Sequence, residues 1–165
     1  MIFLLITTNL MKNAKTKGDI EVEQLTEQLK KSGLKMRHVL GDGHCLYRAV
    51  GFNMTHHGVP EGTDFKFIRK MCADEMRKNK DKYVDFTGCT NDDEYAAYCT
   101  KVESSAEWGT EVELTALSNA FKMSFIVHRN GLEPMKHGSY ETTSHLAFLE
   151  FYSTSGGHYN SVIPE

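Results

Sequence analysis

The sequence predicts an α+β domain in which a small, mostly antiparallel sheet is flanked by helices on both sides. Two observations carry this. Helix-period apolar positions dominate the chain as far as Phe121, and β-rich runs crowd the remainder at Ser124–His128, Leu146–Tyr152 and His158–Ile163. A length of 165 residues suits one domain, and no Pro/Gly/Ser-rich linker divides it. Residues 1–34 read as a leader and a charged helix, and residues 35–165 as the domain proper.

The elements follow in order. Met1-Ile2-Phe3-Leu4-Leu5-Ile6 is apolar but too short to cross a bilayer, and it lacks the basic start and small-residue cleavage site of a signal peptide. A disordered leader, or translation from Met11, is the expectation. Val22, Leu25 and Leu29 place a satellite packing helix over Ile20–Lys31. Leu46, Ala49, Val50 and Met54 mark a helix that starts at or beside Cys45, with Asp42 as its N-cap. Phe65, Ile68, Cys72 and Met76 mark the next, after the cap candidate Asp64. Tyr95, Tyr98, Cys99 and Val102 mark a further helix opened by Asn91-Asp92-Asp93-Glu94, an acidic run suited to a helix N-terminus. Thr110 and Glu113 form a capping-box pattern ahead of Leu114, Leu117 and Phe121, and Trp108 just before it reads first as a core anchor and second as a substrate-lining residue. The segments His56–Pro60 and Met135–Gly138 read as variable surface loops.

Composition narrows the function classes. With 22 acidic and 19 basic residues the formal charge is −3, which leaves no basic footprint for nucleic acid. The four cysteines, at 45, 72, 89 and 99, show neither CxxC pairing nor Cys/His spacing suited to zinc, so no metal or other cofactor is expected. Cys72 and Cys99 fall on apolar helix positions and read as core. No membrane association is expected, and a working thiol argues for a reducing compartment, the cytoplasm.

Gly41-Asp42-Gly43-His44-Cys45-Leu46 is the stretch richest in chemistry. A thiol in the first turn of a helix sees the positive field of unpaired N–H groups, which favours thiolate. Gly43 lets the neighbouring amides turn toward one point, as an oxyanion site requires. From these residues alone, Cys45 reads equally as a nucleophile or as a small, inert core residue. Among eight histidines, His158 has the setting of a base: residues two apart on a strand share a face, so Asn160 lies beside it and could fix its tautomer. His44 adjoins the nucleophile, but its side chain should point away, which leaves it a structural or substrate-lining role.

Three blocks, Asp42-Gly43-His44-Cys45-Leu46-Tyr47-Arg48, Trp108-Gly109-Thr110-Glu111-Val112-Glu113-Leu114-Thr115-Ala116-Leu117-Ser118 and His158-Tyr159-Asn160-Ser161-Val162, resemble those of the ovarian-tumour (OTU) family of cysteine deubiquitinases, in that order. The resemblance covers roughly Lys35 to the C-terminus and extends to the branch with helical N-terminal extensions. It implies the papain-like OTU fold, Cys45 as nucleophile, His158 as general base and acid, and Asn160 as the residue orienting it. In several members the aspartate matching Asp42 is counted as catalytic, orienting the histidine or shaping the oxyanion turn. Implied partners are ubiquitin, polyubiquitin and ubiquitinated proteins, with hydrolysis at ubiquitin's terminal glycine through a thioester. A catalytically silent ubiquitin-binding adaptor is the alternative. Thr110 departs from the family pattern, standing where relatives often carry a second glycine.

Overall fold

Side-chain caps set where most of the helices begin. The computed structural model describes residues 14–165, and the apolar Met1–Ile6 segment lies outside them. Helix α1 (Lys17–Lys30) starts three residues earlier than its apolar pattern indicates, because the Thr16 hydroxyl accepts from the Asp19 N–H and the Asp19 carboxylate accepts from the Thr16 N–H. Helix α2 spans Cys45–His56 and α3 spans Phe65–Lys78, the latter capped by Asp64, which accepts from the Lys66 N–H at 2.9 Å. Asn91 caps α4 (Asp92–Ser104) by accepting from the Glu94 N–H, and the Glu113 carboxylate accepts from the Thr110 N–H at the start of α5 (Glu111–Phe121).

Five strands, β1 (Leu34–Arg37), β2 (Ser124–His128), β3 (Met135–His137), β4 (Thr143–Ser153) and β5 (Gly156–Pro164), form one sheet in the order β1-β5-β4-β2-β3. Three pairings are antiparallel and β2 with β4 is parallel, so the sheet is mixed. Two strands were not legible as strands. β1 is four residues long, and β3, in a segment expected to be a surface loop, is three residues that pair with β2 at the sheet edge.

Alternation along β4 divides the core. Leu146 faces α2 to α5 and joins the larger cluster with Leu46, Val50, Ile68, Leu114 and Phe125. Ala147 and Leu149 face the other way and meet Leu25 and Leu29 of α1 together with Val162. Helices therefore cover both faces. A buried polar bridge fixes α2 against the sheet: the Asn53 amide donates to the His145 carbonyl of β4 at 2.8 Å and accepts from the Ser161 hydroxyl of β5.

α1 is held by charge as well as by packing. The Glu21 carboxylate, only 6% exposed, accepts from the Glu150 and Phe151 N–H groups at 2.7 and 2.8 Å, where the β4–β5 ladder is interrupted by a register shift. Replacing Glu21 with Ala strands both donors, so the midpoint in urea should fall by an amount equivalent to about 1–3 kcal/mol. An unchanged midpoint would mean that water satisfies these amides equally well.

Candidate active site

The site forms where a sheet edge meets a helix start. β1 pairs with β5 only from Ser161 onward, because its last paired residue is Arg37. The earlier residues of β5 therefore present a free edge to the Gly41–Cys45 turn. The Tyr159 N–H points out of that edge and donates to Cys45 Sγ at 3.5 Å. Cys45 opens α2, as its sequence pattern indicates, and is partly buried.

Asp42 is not the N-cap. Gly43 takes φ +87°, a conformation other residues adopt only under strain, and a Cβ there would lie 2.6 Å from the Ala106 carbonyl. This twist leaves Asp42 two residues upstream of the cap position, which His44 occupies without a side-chain cap bond. Asp42 instead accepts from the His44 N–H at 3.2 Å and pairs with Arg48 at 2.7 Å. The Arg48 hydrogen bond is the main reason its carboxyl titrates below the ordinary range. Asp42 thus shapes the turn, and it reaches His158 only through its charge.

Arg69 holds the same turn from beneath. Its guanidinium, buried over the Tyr47 ring, donates to His44 Nδ1, to the Gly43 carbonyl and to the Val102 and Glu107 carbonyls. His44 stacks on Phe65 with ring centroids 4.0 Å apart, the structural one of the two roles the sequence leaves to it. With the Gly43 carbonyl and the His44 N–H both engaged, the Gly43 N–H has no acceptor among the described residues and the Cys45 N–H meets only its own sulfur. They are the donors available to a developing oxyanion.

On β5, His158 and Asn160 lie side by side as their two-residue spacing requires, with His158 Nε2 3.0 Å from Asn160 Oδ1. The orientation of the Asn160 amide follows from chemistry. The Val39 N–H can only donate, and it lies 2.9 Å from Oδ1, so that atom is the oxygen. His158 Nε2 must then carry a proton, which leaves Nδ1 as the basic nitrogen of the neutral ring. Tyr152 stacks on this imidazole with centroids 3.9 Å apart at 14°. Its hydroxyl side comes within 2.9 Å of where a Cβ on Gly41 would stand, so Gly41 makes room for the ring.

Burial governs the resting protonation states. It pushes the Cys45 thiol above its ordinary value of 9.0, against the lowering effect of the Tyr159, Leu46 and Cys45 N–H groups, and the Asp42 charge adds to the rise. The thiolate expected from the helix terminus is therefore not the resting form. Burial likewise pulls His158 below 6.5, opposed by hydrogen bonding to Asn160 and to the Val39 backbone. At neutral pH the pair rests as thiol and neutral imidazole.

A groove of about 300 Å³ opens beside Cys45. Trp108, Glu111, Arg129, Phe148 and Tyr159 help to line it. Trp108 is 50% exposed and forms part of this wall, so it is no core anchor. Met135 and His137 of β3 reach the groove as well. No group of three or more His, Cys, Asp or Glu side chains able to hold a metal occurs among the described residues. Cys72 and Cys99 are buried and, like Cys89, unpaired with another cysteine.

Sequence reasoning passed over three neighbours of the site. Arg69 had a signal, since it stands in the apolar stripe of α3 between Phe65, Ile68, Cys72 and Met76. Tyr152 and His38 had none, because each meets the site only through the fold.

A helix-borne thiol held by the strand residue next to an imidazole, with an amide fixing that imidazole, is the equipment of a papain-like cysteine hydrolase. The family model described as OTU-like cysteine protease matches residues 40–160, and the chain belongs to that family. It is 28% identical over 151 residues to the Xenopus laevis protein named deubiquitinase OTUD6B, an alignment covering 87% of this chain and 51% of the relative. The chain thus spans about half the length of such curated relatives. The solved OTUD1 OTU domain superposes with a TM-score of 0.70 at 19% identity, covering 87% of this chain and 94% of that one. An ovarian tumour domain solved in complex with ubiquitin gives 0.62 at 19% identity over 78% of this chain and 69% of that one. These superpositions establish the OTU fold.

Thiol chemistry gives a direct check on the resting state. Because the Cys45 pKa is raised above 9.0, its thiolate fraction should increase about tenfold per pH unit through the neutral range. The iodoacetamide alkylation rate of Cys45, isolated by subtracting that of a Cys45→Ser variant, should follow this slope. A plateau between about pH 6 and pH 8 would instead reveal a preformed thiolate–imidazolium pair.

Proposed function

We propose that the protein is a deubiquitinating cysteine protease that hydrolyses the isopeptide bond at the terminal glycine of ubiquitin. The observation that carries this reading is the junction at the free edge of β5, where Cys45 Sγ accepts from the Tyr159 N–H, one residue along the strand from an Asn160-fixed His158, beside an open groove. The names of the relatives support the choice of substrate. Attack joins Cys45 Sγ to the glycine carbonyl carbon as the thiol proton passes to His158 Nδ1. The Gly43 and Cys45 N–H groups face the oxyanion, each such donor being worth on the order of 3 kcal/mol in comparable enzymes.

Collapse of the tetrahedral intermediate breaks the C–N bond, and the imidazolium returns its proton to the departing lysine amine. Water then attacks the thioester with His158 as base, the C–S bond breaks, and the thiol is restored. Ubiquitin, polyubiquitin and ubiquitinated proteins are the corresponding partners. A catalytic thiol of this kind suits the reducing cytoplasm.

Cys45→Ala should abolish cleavage of di-ubiquitin while ubiquitin binding persists, measured by gel densitometry and by fluorescence anisotropy of labelled ubiquitin. Asn160→Ala should slow cleavage less severely. A Cys45→Ala variant cleaving at the parent rate would refute the mechanism, and a parent protein that binds ubiquitin without cleaving any linkage would be an adaptor.

A further inference from the structure

The hydrogen bonds around Asn160 extend one residue beyond the set that the mechanism uses. Asn160 is fully buried, so its amide needs partners for both ends. Oδ1 accepts from the Val39 N–H and from His158 Nε2. Nδ2 donates to His38 Nδ1 at 3.2 Å and lies 3.4 Å from Met36 Sδ. A thioether is a weak acceptor, so the His38 imidazole is the one strong acceptor for this amide nitrogen among the described residues. His38 itself is exposed, in the segment that carries the chain from β1 to the Gly41–Cys45 turn.

We infer that His38 is a positioning residue for the reaction proposed above: by accepting from Asn160 Nδ2 through its unprotonated Nδ1, it holds the amide in the rotamer that presents Oδ1 to His158. Two consequences follow from the geometry. Nδ2 can only donate, so His38 must keep its ring proton on Nε2 to serve it. A flipped Asn160 would direct Nδ2 at the Val39 N–H and at the protonated His158 Nε2, donor against donor. The bond from His38 and the bond from Val39 therefore select the same orientation from opposite ends of one amide. Donation by Nδ2 also polarises Oδ1 and strengthens its hold on His158.

The test uses substitutions at an exposed position, which spares the fold. His38→Phe keeps a ring without an acceptor. His38→Asn places its Oδ1 where the imidazole carries Nδ1. On a ubiquitin C-terminal fluorogenic amide, His38→Phe should lower kcat about three- to tenfold with KM within about twofold, the size expected from one lost hydrogen bond. His38→Asn should stay within about twofold of the parent in both constants. In an Asn160→Ala background, His38→Phe should have no further effect, because the two act as one unit.

Nitrogen-15 spectra supply a readout that does not depend on turnover. The Asn160 Nδ2 hydrogens should be protected from exchange in the parent and in His38→Asn, and exposed in His38→Phe. Equal kcat in parent and His38→Phe, additive losses in the Asn160→Ala background, or unchanged protection would each overturn the inference. A parent that fails to turn over the amide would refute the proposed function instead, and the Asn160 spectra would still decide the role of His38.

Discussion

The free edge of β5 is the constraint on which the site depends. A strand edge carries unpaired N–H groups that must find acceptors. Here β1 leaves β5 after Arg37, and one of the exposed groups, the Tyr159 N–H, turns to Cys45 Sγ. Had β1 continued two residues further as a strand, that position would belong to the ladder and the start of α2 would be excluded from it. The departing chain is also what supplies the Val39 N–H and the His38 ring to Asn160. One early strand ending thus places the sulfur and fixes the imidazole. Asn53 and Arg69 make the junction rigid from either side, the first tying α2 to β4 and β5, the second tying the Gly43–His44 turn to the segments around Val102 and Glu107.

Two effects compete for the Cys45 proton. A helix N-terminus favours a nearby anion by about 0.3–1 kcal/mol, rising to about 2 kcal/mol in partly buried settings. Burial of the sulfur opposes it and prevails, with the Asp42 carboxylate on the same side. A neutral resting thiol is less open to oxidation than a thiolate, and it leaves the proton in place to be transferred during attack. His158, held below its ordinary value, is correspondingly available to accept.

Much of this arrangement was legible in the sequence because its parts are local. The apolar period from Leu46 locates the start of α2, and the two-residue spacing of His158 and Asn160 gives their shared face; both relations involve neighbours in the chain. The cap assignment of Asp42 failed because it assumed that the helix follows its cap directly, and the left-handed Gly43 inserts a turn between them. Trp108 misled because its size suggests a core role, while the groove needs an aromatic wall that water can reach. β1 and β3 are too short to show an alternation, and pairing across the sheet makes them strands. His38 could not have been found by any local rule, since it meets Asn160 across 122 residues of sequence.

Covalent capture tests the central claim, that Cys45 and His158 act as one unit, most directly. Ubiquitin carrying a C-terminal electrophile should form an adduct that peptide mass analysis maps to Cys45 alone. Its rate in a His158→Ala variant should be lower by about a hundredfold or more, in line with the loss of a general base. Adducts at Cys72, Cys89 or Cys99, or equal rates with and without the imidazole, would contradict the account.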